Sequence, residues 1–421
     1  MPIVHLFRAT RYGPLLGTDL SKLLSPPYDV IDDAERAQLM ARHKKNFCAS
    51  DPRRDRCAGP ARRRRARSSS AWLEDTTLLT DPSPWYYLYD VQFRDAERRE
   101  RTRLGTIALL DVVTARQEGR LLYHERVHDE PVKDRYRLLE SIEAHTGQIF
   151  LLYSDPAARI EEVTRDYRTR WADQQGRMPD GTVHQLRRAY DMRSIQTITS
   201  VLSSATFTIA DGHHRTTTAL QFAERHPHIP GARFLMVTCV RAEDPGLLVL
   251  PTHRFVWGLP ATTIQAALAR ARERFDLHEV PHGLVDPEIR RPGSRLFAYE
   301  RESGRMYGIS PKPGKLADLD APESLRQEPV VWLHHVLLPL LEIDVAPEPS
   351  DRFEYARPQE SPTDAAIKSR CDLAFLLPPV SVSAVLRSSQ ENYILPPKTT
   401  FFYPKCMDGL TLYRFADAPK A

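Results

Sequence analysis

Residues 206–217 read TFTIADGHHRTT, an apolar strand pattern that passes through a polar turn into a helical pattern. The pattern predicts a strand over Thr206–Ala210 and a helix over Arg215–Arg225. A strand-to-helix turn exposes backbone N–H groups and the positive end of a helix dipole, which together favour anion binding. We therefore expect the functional site at the turn, Asp211-Gly212-His213-His214-Arg215.

Each residue of this turn has a chemical use. Asp211 can act as a general base or a metal ligand, and Gly212 lets the backbone approach a ligand closely. Arg215 can bind a phosphate or carboxylate through two N–H groups. His213 and His214 point in different directions, so one can face the site while the other packs. The alternative is a helix N-cap with solvated neighbours, but a cap needs one Asp and not also two His and an Arg.

The whole pattern predicts an α+β protein. Strands and helices mix without strict βαβ alternation, which indicates mixed sheets with flanking helices. A length of 421 residues favours two lobes. We assign residues 1–260 to a catalytic lobe and residues 261–421 to a C-terminal α/β lobe that contributes Lys398 and Lys405. Further predicted strands are Trp85–Phe93, Leu104–Val113, Gln148–Tyr153, Phe234–Val240, Leu296–Glu300 and Met306–Ile309; further helices are Asp33–Met40, Asp134–His145, Ala157–Gln175, Thr262–Phe275 and Val330–Leu341.

Composition and motifs exclude several classes of protein. No apolar run approaches the roughly 20 residues of a membrane span, and the N-terminus lacks an apolar signal core, so we expect a cytoplasmic protein. The five cysteines form no CxxC pair and predict neither a disulfide framework nor a cysteine zinc site. Neither GxGxxG nor GxxxxGK[ST] occurs, so NAD, flavin and P-loop binding are not indicated.

The segment 48–70 is unusually rich in arginine and has no apolar period. Residues 51–70 hold eight Arg against Asp51 and Asp55, a local charge of +6 in a chain whose net charge is +4. The rest of the chain is slightly acidic, so a nucleic-acid-binding fold is not expected. A phosphate-binding basic loop, a disordered insert and a local reading-frame shift are the alternatives. We favour the frame shift and assign the segment no function.

The run His124-Glu125-Arg126-Val127-His128 matches HExxH, which on a helix places two histidines around zinc. The residues before it have a strand pattern, and Pro131 follows closely, so His124, Glu125 and His128 are disfavoured as zinc ligands. A polar loop that includes Lys133 and Arg135 is the preferred interpretation.

Three further segments place polar residues at turns or strand ends. Ser25–Ile31 forms a rigid turn that presents Tyr28 and Asp29. His253 and Arg254 follow a strand, and Lys398 and Lys405 flank an aromatic strand whose alternative role is a protected surface edge.

These segments together resemble a known family. SPPYDVI, HERxH with PxKDR, IADGHHR, DPGLLVLPTHR and PPKTTFFYPK occur in this order in the domain-of-unknown-function 1015 family. The resemblance covers nearly the whole chain except residues 48–70, where the family has an ordinary amphipathic helix. Membership names no reaction.

A local resemblance implies a chemistry. The DGHHR segment is similar to the DGHxR box of free-serine kinases built on the ParB/sulfiredoxin-like fold, which implies a similar N-terminal lobe. In that group the box contributes to nucleotide and phosphate binding, and an acidic residue acts on the serine hydroxyl. The resemblance implies such roles for Asp211, His213, His214 and Arg215. Asp29 is our candidate for the upstream acid, because it precedes the box on a rigid turn.

The resulting hypothesis is a phosphotransferase that acts on a small hydroxylated metabolite such as free serine, with ATP or ADP as donor. Asp29 or Asp211 would accept the hydroxyl proton, and Mg²⁺ would bind chiefly through the nucleotide phosphates. A phosphomonoester hydrolase and a non-enzymatic ligand-sensing or DNA-associated regulator are the alternatives. No membrane partner is expected, and the oligomeric state stays open. The expected catalytic residues are Asp211, His213 and Asp29. The expected phosphate- or nucleotide-binding residues are Gly212, His214, Arg215, Lys133, Arg135, His253, Arg254, Lys398 and Lys405.

Overall fold

The computed structural model describes residues 2–27, 30–50, 71–127, 129–343, 352–356 and 361–419. Asp29 and His128 lie outside these ranges. So does nearly all of the segment 48–70, and the frame shift predicted there therefore concerns residues that are not described. In the described part of the chain, no helix is both long and apolar enough to cross a membrane.

The chain divides into two compact units. The first contains residues 1–122, 127–247 and 404–421, and the second contains residues 123–126 and 248–403. The division differs from the expected boundary at residue 260, because the chain enters the second unit at residue 248 and returns to the first at residue 404. Lys405 therefore belongs to the first unit and not to a C-terminal lobe.

The first unit mixes strands and helices, as an α+β fold requires. Its strands are β1 (Val4–His5), β2 (Thr10–Tyr12), β3 (Leu78–Thr80), β4 (Tyr86–Arg94), β5 (Glu100–Asp111), β6 (Leu121–Leu122), β7 (Ala144–His145), β8 (Ile149–Tyr153), β9 (Gln174–Arg177), β10 (Val183–Ala189), β11 (Phe207–Asp211) and β12 (Phe234–Arg241). Its helices are α1 (Asp33–Arg42), α2 (Val112–Gln117), α3 (Asp129–Ile142), α4 (Arg159–Val163), α5 (Arg165–Arg168), α6 (Met192–Ser204) and α7 (His213–Arg225).

Nine of the described strands form the main sheet of this unit, in the order β6-β11-β8-β12-β5-β4-β10-β9, with β1 paired to β5. The apolar strand β12 lies inside the sheet, parallel to β8 and antiparallel to β5. Strand β11 runs antiparallel to β8, and Asp211 pairs with Phe150. The end of β11 therefore lies beside the start of β8, which fixes the surroundings of the predicted functional turn.

The helix predicted over Ala157–Gln175 is not continuous. The structure has the short helices α4 and α5, followed by β9. The backbone leaves the helical region at Thr164, and the Thr164 hydroxyl donates to the carbonyl of Ile160. Gln174 then donates from its side chain to the carbonyl of Tyr12 at 2.7 Å. Pairing with the rest of the sheet thus overrides the local helical pattern.

The second unit contains its own sheet. Six of the described strands form it in the order β15-β17-β16-β19-β14-β18, and β13 pairs with β20. Strand β21 (Tyr413–Arg414) belongs to the first unit and pairs with β7 there. The strands of the second unit are β13 (Leu248–Leu250), β14 (His253–Val256), β15 (Phe275–Glu279), β16 (Leu296–Glu300), β17 (Arg305–Pro311), β18 (Phe353–Ala356), β19 (Leu373–Leu376) and β20 (Phe401–Tyr403). The helices are α8 (Ala261–Ala271), α9 (His282–Ile289), α10 (Pro329–Trp332), α11 (Leu338–Leu340), α12 (Pro362–Ser369) and α13 (Val382–Gln390).

The apolar helix predicted over Val330–Leu341 is irregular. Residues Leu333–Leu337 between α10 and α11 form a π-helical turn. Pro339 explains the irregularity, since proline has no N–H to donate within a helix. Within the described ranges, short 3₁₀ helices span Pro14–Leu16, Phe47–Ser50, Pro230–Arg233, Glu323–Leu325 and Phe415–Asp417.

Candidate functional site

The predicted turn joins β11 to α7 through Gly212. Gly212 has φ +99°, in the left-handed region that glycine adopts most readily. A Cβ atom at this position would lie 2.7 Å from Cδ1 of Ile149. The helix begins at His213, two residues earlier than predicted, so both histidines and Arg215 are in its first turn.

Asp211 forms ion pairs with two cations at the end of β11. Its Oδ1 accepts from Nζ of Lys405 at 2.7 Å, and its Oδ2 accepts from the Arg215 guanidinium at 3.0 Å. The side chains of Asp211, Lys405 and Arg215 are only 20%, 11% and 16% exposed, so the cluster is largely shielded from water. Each carboxylate oxygen can still accept a further hydrogen bond.

Charge balance sets the protonation state of Asp211. Burial acts to raise its pKa, but Lys405 and then Arg215 outweigh burial and lower the pKa to about 2. The carboxylate is therefore ionised at neutral pH and weakly basic, whereas a general base works best with a pKa near the operating pH. The geometry suits electrostatic positioning of cations better than strong proton abstraction.

Arg215 is also fixed from the side of β8. Its guanidinium donates to the carbonyl of Gln148 at 2.8 Å. The Gln148 side chain is itself held, because it accepts from Thr238 at 3.0 Å and donates to Thr411 at 3.1 Å. Asp211 at the end of β11 and the Gln148 carbonyl just before β8 thus orient one guanidinium.

Arg215 also lines a cavity of about 40 Å³. Its polar lining includes Arg135, His145, Arg215 and Asp408. A Cβ at Gly147 would lie 2.3 Å from an Asp408 carboxylate oxygen and 3.2 Å from the Arg215 guanidinium, so glycine is required for these groups to approach the loop.

The charges around the cavity affect one another. Burial and then the charge of Arg215 lower the pKa of Arg135, and Asp408 opposes this shift. Burial lowers the pKa of His145 to about 4, with a smaller contribution of the same sign from Arg215. His145 is therefore neutral at physiological pH beside two guanidinium groups.

The two histidines of the turn differ in exposure. His213 is 4% exposed and contributes to the low pKa of Asp211. His214 is half-buried, and its carbonyl accepts from the Thr218 hydroxyl at 2.8 Å.

Lys133 and Arg135 lie on α3, not in a polar loop as the sequence predicted. Residues two positions apart on an α-helix are separated by about 200° around its axis. Arg135 accordingly lines the cavity beside Arg215, whereas Lys133 is exposed and lines another depression with Arg137 and Arg225.

His253, Arg254 and Lys398 belong to the second unit, and their described contacts are internal to it. His253 accepts from the backbone N–H of Leu377 at 3.1 Å, and burial lowers its pKa to about 3. Arg254 is fully buried and donates to the carbonyls of Thr252 at 2.8 Å and Pro397 at 2.9 Å. These contacts support the fold of the second unit. Lys398 is exposed.

The described residues of the HExxH segment, 124–127, are not helical, whereas zinc binding by this motif requires a helix. His124 and Glu125 precede α3, and Nε2 of His124 lies 3.1 Å from the Thr400 hydroxyl. Glu125 accepts from the backbone N–H of Lys398 at 3.3 Å. Within the described ranges, no group of three or more His, Cys, Asp or Glu side chains could hold a metal ion.

Several residues near the site were not predicted. Gln148, His145 and Asp408 surround Arg215, and buried Arg103 donates to the carbonyl of Pro404 at 2.5 Å. Arg103 directly precedes the predicted strand Leu104–Val113, and the structure extends that strand to include it. The others carry no motif, because only the packing of β8 and the C-terminal segment brings them to α7.

Comparison with known proteins places the chain in a family. The family model described as "Protein of unknown function (DUF1015)" matches residues 4–332. The chain belongs to the DUF1015 family. The match ends before the PPKTTFFYPK segment, so Lys398 and Lys405 of this DUF1015 chain lie beyond it. No curated protein matches the chain.

Among solved structures, this DUF1015 chain is similar to a free serine kinase in complex with AMP, with 12% identity, a TM-score of 0.36, and coverage of 70% of this chain and 89% of the other. A conserved hypothetical protein from Pyrococcus furiosus shows 13% identity, the same TM-score, and coverage of 71% and 94%. SbnI from Staphylococcus aureus, truncated at its C-terminus, shows 10% identity, the same TM-score, and coverage of 74% and 88%. The function of the DUF1015 chain therefore has to be argued from its own residues.

Proposed function

We propose that the chain is a phosphotransferase that moves a phosphoryl group from ATP or ADP to the hydroxyl of a small metabolite, with free serine as the first acceptor to test. The observation that carries the proposal is the cluster of Lys405, Asp211 and Arg215 at the start of α7. The similarity of DGHHR to the DGHxR box of ParB/sulfiredoxin-like free-serine kinases supports the same chemistry.

Phosphoryl transfer asks a protein mainly for positioning and for neutralisation of negative charge. Arg215 offers a planar group with several N–H donors, and Lys405 offers a compact positive charge. The N–H groups of the first turn of α7 add partial positive charge, and Gly212 has no side chain to cover them. These groups fit a phosphate that approaches the turn.

Asp211 takes a different role in this proposal from the one expected. Because its pKa is low, Asp211 is a carboxylate that positions Lys405 and Arg215 through ion pairs. The same carboxylate would orient the substrate by accepting a hydrogen bond from its hydroxyl. A loose transition state needs little proton abstraction, so a weakly basic carboxylate suffices. Asp29 stays our second candidate for the hydroxyl contact. Mg²⁺ would bind through the nucleotide phosphates.

The test combines nucleotide binding with turnover. Calorimetry with ATP and ADP, with and without Mg²⁺, measures donor binding, and phosphorylation of L-serine measures transfer. We expect Asp211→Asn and Arg215→Lys to lower turnover by about 10²–10³-fold, as removal of a preorganised charge contact does. Arg225→Lys, near the other end of α7, is the matched control and should retain wild-type turnover.

Two results would contradict the proposal. Wild-type turnover in both Asp211→Asn and Arg215→Lys would remove the turn from the chemistry. Hydrolysis of phosphoserine without any nucleotide, together with no transfer from ATP or ADP, would favour the phosphomonoester hydrolase. The melting temperature of each variant separates loss of function from loss of fold.

A further inference from the structure

The cavity beside Arg215 has a lining of mixed charge. Two guanidinium groups, from Arg135 and Arg215, and one carboxylate, from Asp408, reach the same small space. All three residues belong to the first unit. A site that presents both signs of charge at close range complements a ligand that carries both signs.

The cationic side of the cavity is strongly shielded from water. Arg135 is 6% exposed, and the side chain of Arg215 is 16% exposed. Two positive groups that approach one another in a poorly solvated place repel, and a bound anion relieves that repulsion. Guanidinium groups bind carboxylates through pairs of parallel hydrogen bonds, which gives orientation as well as affinity.

His145 supplies an independent indication of a ligand. It is 7% exposed and lines the same cavity, and its Nε2 has no hydrogen-bond partner among the described protein atoms. Buried polar atoms nearly always have a partner, either protein, water or ligand. A ligand or water in the cavity would complete the hydrogen bonding of this ring.

Asp408 decides which kind of anion fits. It is 6% exposed, and its carboxylate lies against Gly147, where a side chain would collide with it. A phosphate dianion in this space would be repelled by Asp408, whereas an ammonium group would be attracted by it. The volume of about 40 Å³ exceeds the roughly 10–15 Å³ that one water needs. It therefore admits a group of a few heavy atoms.

We propose that this cavity binds the head group of an α-amino acid, with the carboxylate toward Arg135 and Arg215 and the ammonium toward Asp408. Binding of the head group does not depend on the proposed function. The inference rests on the proposed function only where it says that the side chain of the bound amino acid is phosphorylated. Because Arg215 contacts both the cavity and Asp211, a hydroxyl on that side chain would be directed to the Asp211 cluster. The acceptor class is then hydroxy amino acids and not sugars or simple alcohols.

The first test needs no substitution. Calorimetry on the full chain compares L-serine with ethanolamine, which lacks the carboxylate, with 3-hydroxypropanoate, which lacks the ammonium, and with inorganic phosphate. We expect L-serine to bind at least about 10-fold more tightly than each of the others, since each lacks one charge contact or adds a repulsive one. Equal binding of L-serine and ethanolamine, tighter binding of phosphate, or no binding of L-serine overturns the inference.

The second test uses a matched pair of variants on α3. Arg135→Gln should weaken L-serine binding by about 10- to 100-fold and leave ethanolamine binding unchanged. Arg137→Gln, on the exposed side of the same helix, should leave both unchanged. Should Arg135→Gln fail to fold, Asp408→Asn provides the complementary change, with loss of the preference for L-serine over 3-hydroxypropanoate. Retained L-serine preference in the folded variants overturns the inference.

These measurements separate the two proposals. Selective binding of L-serine that depends on Arg135, without any phosphoryl transfer, would support the amino-acid site and contradict the phosphotransferase proposal. Phosphoryl transfer at equal rates to L-serine and ethanolamine would support the phosphotransferase proposal and contradict the amino-acid site.

Discussion

The ammonium nitrogen of Lys405 lies 2.7 Å from Oδ1 of Asp211, although 194 residues separate the two in the chain. The last segment of the chain leaves the second unit and completes the charge cluster at the end of β11. Residue 405 lies beyond the match to the DUF1015 model. The C-terminal segment is therefore part of the candidate site and not an appendage to it.

Substitution of Lys405 tests how much the contact between Lys405 and Asp211 contributes to the free energy of unfolding. Lys405→Met leaves Asp211 with Arg215 alone, and we expect a loss of about 1–3 kcal/mol in the free energy of unfolding, the usual cost of a lost hydrogen bond to a charged group. Urea unfolding measures it, and Lys315→Met, an exposed lysine, should change stability by less than about 0.5 kcal/mol. A double-mutant cycle with Asp211→Asn should give clear coupling; additive effects would contradict a direct contact.

The low pKa of Asp211 predicts a dependence of stability on acid. The carboxyl has a pKa of about 2 in the folded chain against 3.8 as its ordinary value. Its contribution is therefore fully present above about pH 5 and is lost as the pH falls toward 2, with a magnitude of about 2 kcal/mol. The difference in stability between wild type and Asp211→Asn should shrink over this window in denaturant titrations. If the stability difference between wild type and Asp211→Asn stayed constant from pH 5 to pH 3, the ion pairs would not lower the pKa of Asp211 in the folded protein.

The conformation of Gly212 predicts a specific cost of adding a side chain. Gly212→Ala forces a non-glycine residue to φ near +99° and brings Cβ against Ile149, so we expect about 1–3 kcal/mol of destabilisation and reduced ligand binding at the turn. Gly283→Ala is the control, because this glycine lies in α9 with no atom within 4 Å of an added Cβ. That change should stabilise the protein by about 0.4–1 kcal/mol. A neutral Gly212→Ala would mean that the turn adapts freely.

The HExxH segment should not bind catalytic zinc. His124 precedes α3 and contacts Thr400, so it does not lie on a helix as the first histidine of a zinc-binding HExxH motif would. Elemental analysis of the purified chain should find well under one zinc per chain. Stoichiometric zinc that disappears in a His124→Ala, His128→Ala variant would show that the prediction is wrong.

The sequence alone located the β11–α7 turn, because a short apolar run followed by Asp-Gly and a helical period is compatible with few structures other than strand, turn and helix. It also predicted the α+β class and the strand over Phe234–Val240, since these depend on local patterns of side chains. The predicted helix over Ala157–Gln175 is wrong because that prediction, too, depended on the local pattern alone. Its local pattern is helical, but hydrogen bonds from Gln174 and pairing with β10 determine its structure.

Only the tertiary structure decided which distant groups reach the turn. Lys133 and Arg135 were indistinguishable as nearby basic residues until the axis of α3 fixed opposite directions for them. Asp408, His145 and Gln148 belong to no motif and meet Arg215 through the packing of β8 and the C-terminal segment. Local sequence specified the backbone conformation of the β11–α7 turn, whereas the composition of a charged site depends on contacts between residues far apart in the chain. The sequence therefore determined where the candidate site is, and the fold determined which charges surround it.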